Sequence, residues 1–332
     1  MMKILLSIMF IYSISFSQSK IGTSAVPFLG IGIGAKSLGM AGAYSAMSGK
    51  SESWYWNPSA VVLSTGLNTH VHSANWLVDT KISSFSISNS LNNSLVVGGY
   101  LNYLDYGKEI VTTLDEEFGT GDYWTASDFV IGTGISWKIT NRFSMGTVGK
   151  LIRSKIYNET ASTFALDLGL LYVSTHELIQ FGANISNLGP NMILDGKDLY
   201  KKIDIDPDVQ GHNETILARL KTDEWPLPII FRIGLVGNLN YKNIADIKVS
   251  SDAVIPSDDQ EHLNIGTEIK ILNMLVARAG FRHIGKDNTE EGLTVGFGFE
   301  IPLYRKRIEL NYAYQQIGVF GFVPHFEINY KN

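Results

Sequence analysis

The sequence predicts an all-β protein, a transmembrane antiparallel β-barrel of about fourteen strands with a short helical N-terminal segment plugging its lumen. Three observations predict it: an export signal at the N-terminus, period-2 alternation of apolar and polar residues over most of the chain, and a regular asymmetry in connection length. Composition agrees with this reading. Charged residues make up 18% of the chain, below the roughly 25% of soluble domains, and 32 Gly, 15 Tyr and 16 Phe suit a β-rich protein with little aqueous surface. The formal net charge of -5, with Lys and Arg scattered, leaves no basic footprint and argues against nucleic acid as a partner. The absence of Cys removes disulfides, thiolate metal sites and a cysteine nucleophile together.

In chain order the export signal comes first. Lys3, an apolar stretch from Ile4 to Phe16, and the small residues Ser15 and Ser17 predict a signal peptide over residues 1–17, cleaved after Ser17. Beyond it no run reaches the roughly 18 to 20 apolar residues of a spanning helix. The longest candidate, Pro226 to Leu239, is interrupted by Arg232. A membrane crossing must therefore be made by strands, which places the protein in the outer membrane.

Residues 18–66 do not alternate and form the predicted hatch. They hold Gly30, Gly32, Gly34, Gly39 and Gly42, an Ala-rich stretch from Ala41 to Met47, and the run Trp54, Tyr55, Trp56, Asn57, Pro58, Ser59. A short helix or two is expected before the first strand, filling a lumen that fourteen strands would otherwise leave open.

Residues 67–332 form the predicted barrel, with strands near 68–76, 81–89, 95–105, 124–139, 142–157, 160–174, 178–187, 226–239, 244–255, 260–271, 274–284, 291–301, 306–316 and 322–330. In the sixth, Phe164, Leu166, Leu168 and Leu170 share one face and Thr163, Ala165, Asp167 and Gly169 the other. The twelfth opposes Leu293, Val295, Phe297 and Phe299 to Thr294, Gly296, Gly298 and Glu300. A soluble sandwich also alternates, but many of these runs reach the roughly 9 to 11 residues that a tilted strand needs to cross a bilayer. Connections after even strands are short, such as Asn92-Asn93 and Leu272-Asn273, whereas the long ones, 106–123 and 188–225, follow odd strands. Short periplasmic turns and long outer loops give that pattern, and an even strand count puts both termini in the periplasm.

The polar face carries Lys150, Asp167, Arg232, Glu268, Lys270, Arg278, Arg282, Glu300 and Glu309. Facing lipid, an Arg or Lys near the midplane would cost about 2 to 4 kcal/mol, so these groups are expected to line the lumen as an ion-pair lattice holding the plug. A substrate path is the alternative role. Gly98-Gly99 inside the third strand predicts a bulge or kink and, with it, a possible side opening in the wall.

Other motifs fall short of their chemistry. Gly30 to Ser37 resembles a phosphate-binding loop but has Ala35 where the second fixed Gly belongs, and it does not lie between a strand and a helix. Asp204, Asp206 and Asp208 have the opening spacing of a calcium loop, yet Val209 and Thr215 stand where Gly and Glu are needed. His70 and His72 share a strand face with no third ligand nearby in sequence. No hydrolase elbow or zinc-protease helix occurs, so no enzyme, cofactor or metal is expected.

The block from Phe28 to Ala43, followed by Trp54 to Ala60, resembles the N-terminal signature of the PorV/PorQ family, relatives of the FadL fatty-acid transporters. Further echoes are His72 to Trp76, Leu104 to Gly107, Gly182 to Gly189, Leu227-Pro228 with Arg232 and Gly234, and Asn311 to Tyr314. The resemblance spans essentially the whole mature chain. It implies a FadL-like fourteen-stranded barrel plugged by a hatch carrying Asn57, Pro58 and Ser59, where the family has Asn-Pro-Ala. It also implies one of two functions. PorV-like members serve type IX secretion, shuttling cargo with a C-terminal signal domain to the attachment machinery. FadL-like members pass hydrophobic small molecules through the hatch and a side opening in the third strand. The expected partners are accordingly outer-membrane lipid and either secreted cargo and secretion machinery or hydrophobic small molecules.

Overall fold

The computed structural model describes residues 22–175, 178–204, 216–241, 244–287, 289, 291–304 and 306–332. The expected signal peptide, residues 1–17, lies outside the described residues.

Alternation sets the architecture, because a strand with one apolar and one polar face can satisfy both only at a boundary between two environments. Fourteen such strands close into one antiparallel barrel: β1 (Leu67–Asn75), β2 (Lys81–Asn92), β3 (Leu95–Ile110), β4 (Tyr123–Lys138), β5 (Phe143–Ile156), β6 (Glu159–Val173), β7 (Ile179–Leu188), β8 (Ile230–Tyr241), β9 (Ala245–Pro256), β10 (His262–Ile271), β11 (Leu275–Ile284), β12 (Leu293–Leu303), β13 (Lys306–Gln316) and β14 (Phe322–Lys331). Each pairs with its neighbours in the chain, and β1 closes on β14 from Asn68 opposite Lys331 to Ala74 opposite His325. Closure removes every edge, so each strand's backbone is paired on both sides without water.

The greasy face points outward. Phe164, Leu166, Leu168 and Leu170 are exposed on β6, as are Phe297 on β12 and Leu310, Tyr312 and Tyr314 on β13. So large an apolar belt is a lipid-facing surface. The polar residues between them are buried against the plug: Asp167, Glu268, Arg278, Glu309 and Glu327 all point inward.

The connections divide the barrel into a short-turn end, which holds Gly66 and Asn332, and a long-loop end. The long loop between β7 and β8 folds back on itself. Tyr200–Ile203 pairs with Ile216–Arg219, and Met192–Ile193 with Glu224–Trp225. These pieces are too short to announce themselves by periodicity. The observed β8 starts at Ile230, later than the alternation indicated, since Pro226 and Pro228 supply no N–H for a ladder.

Residues 22–66 thread the lumen. They form two single-turn helices, α1 (Ala35–Leu38) and α2 (Ser53–Trp56), with 3₁₀ turns at Pro27–Gly30 and Pro58–Leu63. The Ala-rich stretch is not helical. Ala41 and Gly42 take positive φ values of 60° and 72°, and the N–H groups of Tyr44 and Ser45 point to the Asp252 carboxylate on β9, at 3.0 and 2.8 Å, rather than to a preceding helical carbonyl. The course of the hatch also changes where its beginning lies. The barrel's own ends are at the short-turn side, but Ala25 N–H donates to Pro226 O at 2.8 Å and Ser24 bonds Asp258, so residues 22–25 sit at the long-loop end.

Candidate functional site

The plugged lumen is the site that the fold builds. Its floor is the Asn57-Pro58-Ser59 turn. Asn57 Nδ2 donates to Ser45 O at 2.7 Å and to Leu170 O on β6 at 3.0 Å, while Asn57 Oδ1 accepts from Ser59 Oγ at 2.7 Å and Ser59 N at 3.1 Å. Pro58 starts the 3₁₀ turn, where a missing N–H costs nothing. The wall makes room with glycine. A Cβ on Gly146 would overlap the Pro58–Ser59 backbone, and one on Gly169 would overlap Asn57 Oδ1. Ser136 Oγ on β4 donates to Ser59 O at 3.1 Å, tying the turn to a third strand.

The inward charges form separate groups rather than one lattice. At the centre, Glu268 accepts from Arg278 Nε at 2.7 Å and lies 3.8 Å from Lys36, which stands 3.9 Å from Glu309. Lys50 of the hatch joins the group by pairing with Glu309, and Lys248 lies 3.7 Å from Glu268. Arg278 Nη1 also donates to Asn311 Oδ1 at 2.8 Å, and Asn311 Nδ2 donates to Glu327 Oε1 at 3.0 Å. Glu327 Oε2 accepts the Lys36 N–H at 3.0 Å, so the first turn of α1 is held by carboxylates from three strands. Burial works against the Lys36 ammonium, but Glu268 and Glu309 outweigh it and raise its pKa above the ordinary lysine value.

Elsewhere Lys150 pairs with Asp167 at 2.8 Å, and Glu300 at the short-turn rim accepts from Lys270 at 2.8 Å and lies 3.3 Å from Arg307. Arg282 is 3.6 Å from Glu291 near the long-loop end. Arg232 takes no part in these pairs; its guanidinium stacks over Trp56 and Tyr55 of the hatch, at 5.5 and 5.8 Å from the ring centroids.

At Gly98 and Gly99 the pairing of β3 shows no register shift. They pair without interruption with Ser88 and Ile87 on β2 and with Gly134 and Thr133 on β4, and the wall is continuous there. The register of β3 shifts instead between Asp105 and Lys108. Gly98 serves close approach: a Cβ there would lie 2.9 Å from Trp54 Nε1, which donates to Ile87 O at 3.0 Å. His70 and His72 face inward and are buried, with His72 Nε2 at 3.1 Å from His325 Nδ1 and His70 at 3.6 Å from Glu327. Of the calcium-like run only Asp204 is described; Asp206 and Asp208 lie outside the described residues.

Among the groups that escaped sequence reasoning are Lys36, Lys50, Asp252 and Glu327. Asp252 carried a readable signal, since it sits among inward positions of an alternating strand. Lys36 and Lys50 carried none, because the hatch has no periodicity that shows where a side chain points.

Above the plug, toward the long-loop end, lies a half-enclosed cavity of about 360 Å³. Leu38, Trp56, Ile230 and Val254 line it together with Arg232, Arg282 and His283.

Comparison with known proteins bears on both fold and family. The FadL homologue of Pseudomonas aeruginosa superposes with a TM-score of 0.53 at 10% identity, covering 89% of this chain and 95% of its own. The monoaromatic hydrocarbon channel CymD gives 0.55 at 12%, and the toluene transporter TbuX of Ralstonia pickettii 0.54 at 11%, each covering 90% of this chain and 96% of its own. At such identity the likeness is one of fold. No curated protein matches the chain. Residues 15–207, more than half of the chain, match the family described as type IX secretion system protein PorV. The chain therefore belongs to the PorV family of type IX secretion proteins, with a FadL-like barrel in the outer membrane.

Proposed function

We propose that this protein acts in type IX secretion as a non-enzymatic outer-membrane acceptor or shuttle for secreted cargo bearing a C-terminal signal domain. The observation that carries the reading, beside the family match, is that the hatch is built into the wall. Asn57, Lys36 and the Tyr44–Ser45 backbone are bound to strands on opposite sides of the lumen, and the pairing of β3 continues unbroken through Gly98-Gly99. Passage of a hydrophobic small molecule would require that seat to be dismantled or another exit to form. A cargo acceptor needs only a rigid platform, and the loops at the long-loop end present large apolar side chains, among them Leu114 and Phe118, nearly fully exposed.

The test is affinity capture of the protein from detergent-solubilised outer membranes of its host, with mass spectrometry of co-purifying proteins and lipids. Recovery of secreted proteins sharing a C-terminal β-sandwich domain is expected. Recovery of fatty acids or aromatic hydrocarbons without protein partners would overturn the proposal in favour of transport.

A further inference from the structure

The alternation that turns most barrel cations into the lumen leaves a few on the other face. On β5 the outward positions run Gly149, Leu151, Arg153 and Lys155 toward the long-loop end, so the apolar belt stops at Leu151 and two cations follow it. Both are exposed, and among the described residues neither has a carboxylate within ion-pair distance.

The ladder fixes what stands beside them. Leu151 lies between Ile131 on β4 and Phe164 on β6. One row further out, Arg153 lies between Phe129 and Ser162, and in the next row Lys155 lies between Ser127 and Thr160. That last row continues past Ser127 to Asp105 on β3 and Lys81 on β2, and past Thr160 to Asp195 in the loop between β7 and β8. Its two carboxylates are engaged: Asp105 Oδ1 accepts the Gly107 N–H at 3.0 Å, and Asp195 pairs with Arg219 at 2.8 Å. The far wall differs. Its outward positions at the same end include Phe231, Leu263, Phe281 and Phe322, all exposed.

We propose that the wall around Arg153 and Lys155 binds the phosphate of a phosphorylated glycolipid of the outer leaflet, whose acyl chains lie along Leu151, Ile131 and Phe164. A cation turned toward lipid is costly at the midplane and nearly free at the level of the headgroups. The rows just beyond the belt are therefore where such a residue is tolerated, and they are also where lipid phosphates lie. The Arg153 guanidinium can hold two phosphate oxygens in parallel hydrogen bonds, and Lys155, two residues and roughly 7 Å further along the strand, adds a point charge. The hydroxyls of Ser127, Thr160 and Ser162 stand in the same rows to meet sugar and phosphate oxygens. The layering selects a lipid over other anions. Free phosphate would meet the cations and leave the apolar row unused, and an acidic protein face would place its charges at the edge of the hydrocarbon. The site lies outside the barrel and uses no residue of the hatch, so it stands apart from the acceptor reading.

Native mass spectrometry of the full chain released from maltoside micelles tests this with three probes: diphosphoryl lipid A, the same lipid with its phosphates removed, and inorganic phosphate. The unaltered protein is expected to hold diphosphoryl lipid A about tenfold or more tightly than the dephosphorylated lipid, the effect of one charge-assisted contact. The double variant Arg153→Gln/Lys155→Gln is expected to lose that preference, while Lys306→Gln at the short-turn rim keeps it. Both substituted residues are exposed on the outer face, so the barrel is expected to fold unchanged. Equal retention of the two lipids, or a preference that survives the double variant, would overturn the proposal. Inorganic phosphate held as tightly as diphosphoryl lipid A would assign the site to the free anion instead. Loss of a co-purifying protein from the double variant, with its lipid preference unchanged, would assign the patch to a protein partner.

Discussion

Asn57 illustrates how a buried polar side chain specifies a fold at a single residue. Its amide satisfies two carbonyls from different segments, Ser45 O and Leu170 O, while its oxygen closes the turn on Ser59. Asn57→Ala leaves those carbonyls buried without that donor, at a cost of roughly 2 to 4 kcal/mol. The expected result is a hatch cut by protease at concentrations that leave the unaltered protein intact, with the barrel still closed on unboiled gels. Glu268 and Arg278 argue similarly about charge. Removing one partner strands the other in the lumen, so Glu268→Gln or Arg278→Met alone is expected to cost about 3 to 5 kcal/mol, and the two substitutions together less than the sum of the singles, although Lys36 still loses its Glu268 neighbour. Denaturant unfolding of the two single variants and the double variant checks this; additive losses would show that the pair is not coupled. The inward direction of these barrel charges was legible, because alternation assigns each strand residue to a face. Their partners were not, since Lys36 and Lys50 come from a segment without a period.

At the scale of elements, strands were readable and the hatch was not. Strand β6 announced itself through Phe164, Leu166, Leu168 and Leu170, whose spacing fixes the face whatever the rest of the chain does. The stretch from Ala41 to Met47 has the composition of a helix, but Asp252 competes for its N–H groups and wins, an interaction that joins residues more than two hundred positions apart. Local propensity cannot register such a partner. The Gly98-Gly99 pair is ambiguous for a related reason: glycine in a strand marks either a bend or the close approach of another backbone or side chain, and Trp54 approaches Gly98 closely. Asp252 therefore becomes the place to loosen the plug. Asp252→Ala frees the Tyr44–Ser45 backbone, and its expected readout is a rise in single-channel openings in planar bilayers. Asp252→Asn, which keeps one acceptor oxygen, is expected to stay close to the unaltered protein. Equal conductance of all three would show that the hatch is held elsewhere.

At the scale of the whole molecule, the absence of any cysteine makes the orientation directly measurable, because a single introduced thiol reports without background. In outer-membrane barrels long loops face the exterior and short turns the periplasm. Leu114, on the loop between β3 and β4, and Asn93, in the tight turn between β2 and β3, lie at opposite ends of the barrel and are both exposed. A membrane-impermeant maleimide added to intact cells is expected to label Leu114→Cys and to reach Asn93→Cys only after the outer membrane is permeabilised. The same result would place the cavity around Arg232 on the outside, where the first described residues of the hatch also lie, and would make it accessible to cargo that has already crossed the membrane. The reverse pattern would turn the molecule over, put that cavity in the periplasm, and leave the exposed apolar loop residues facing the compartment from which cargo comes.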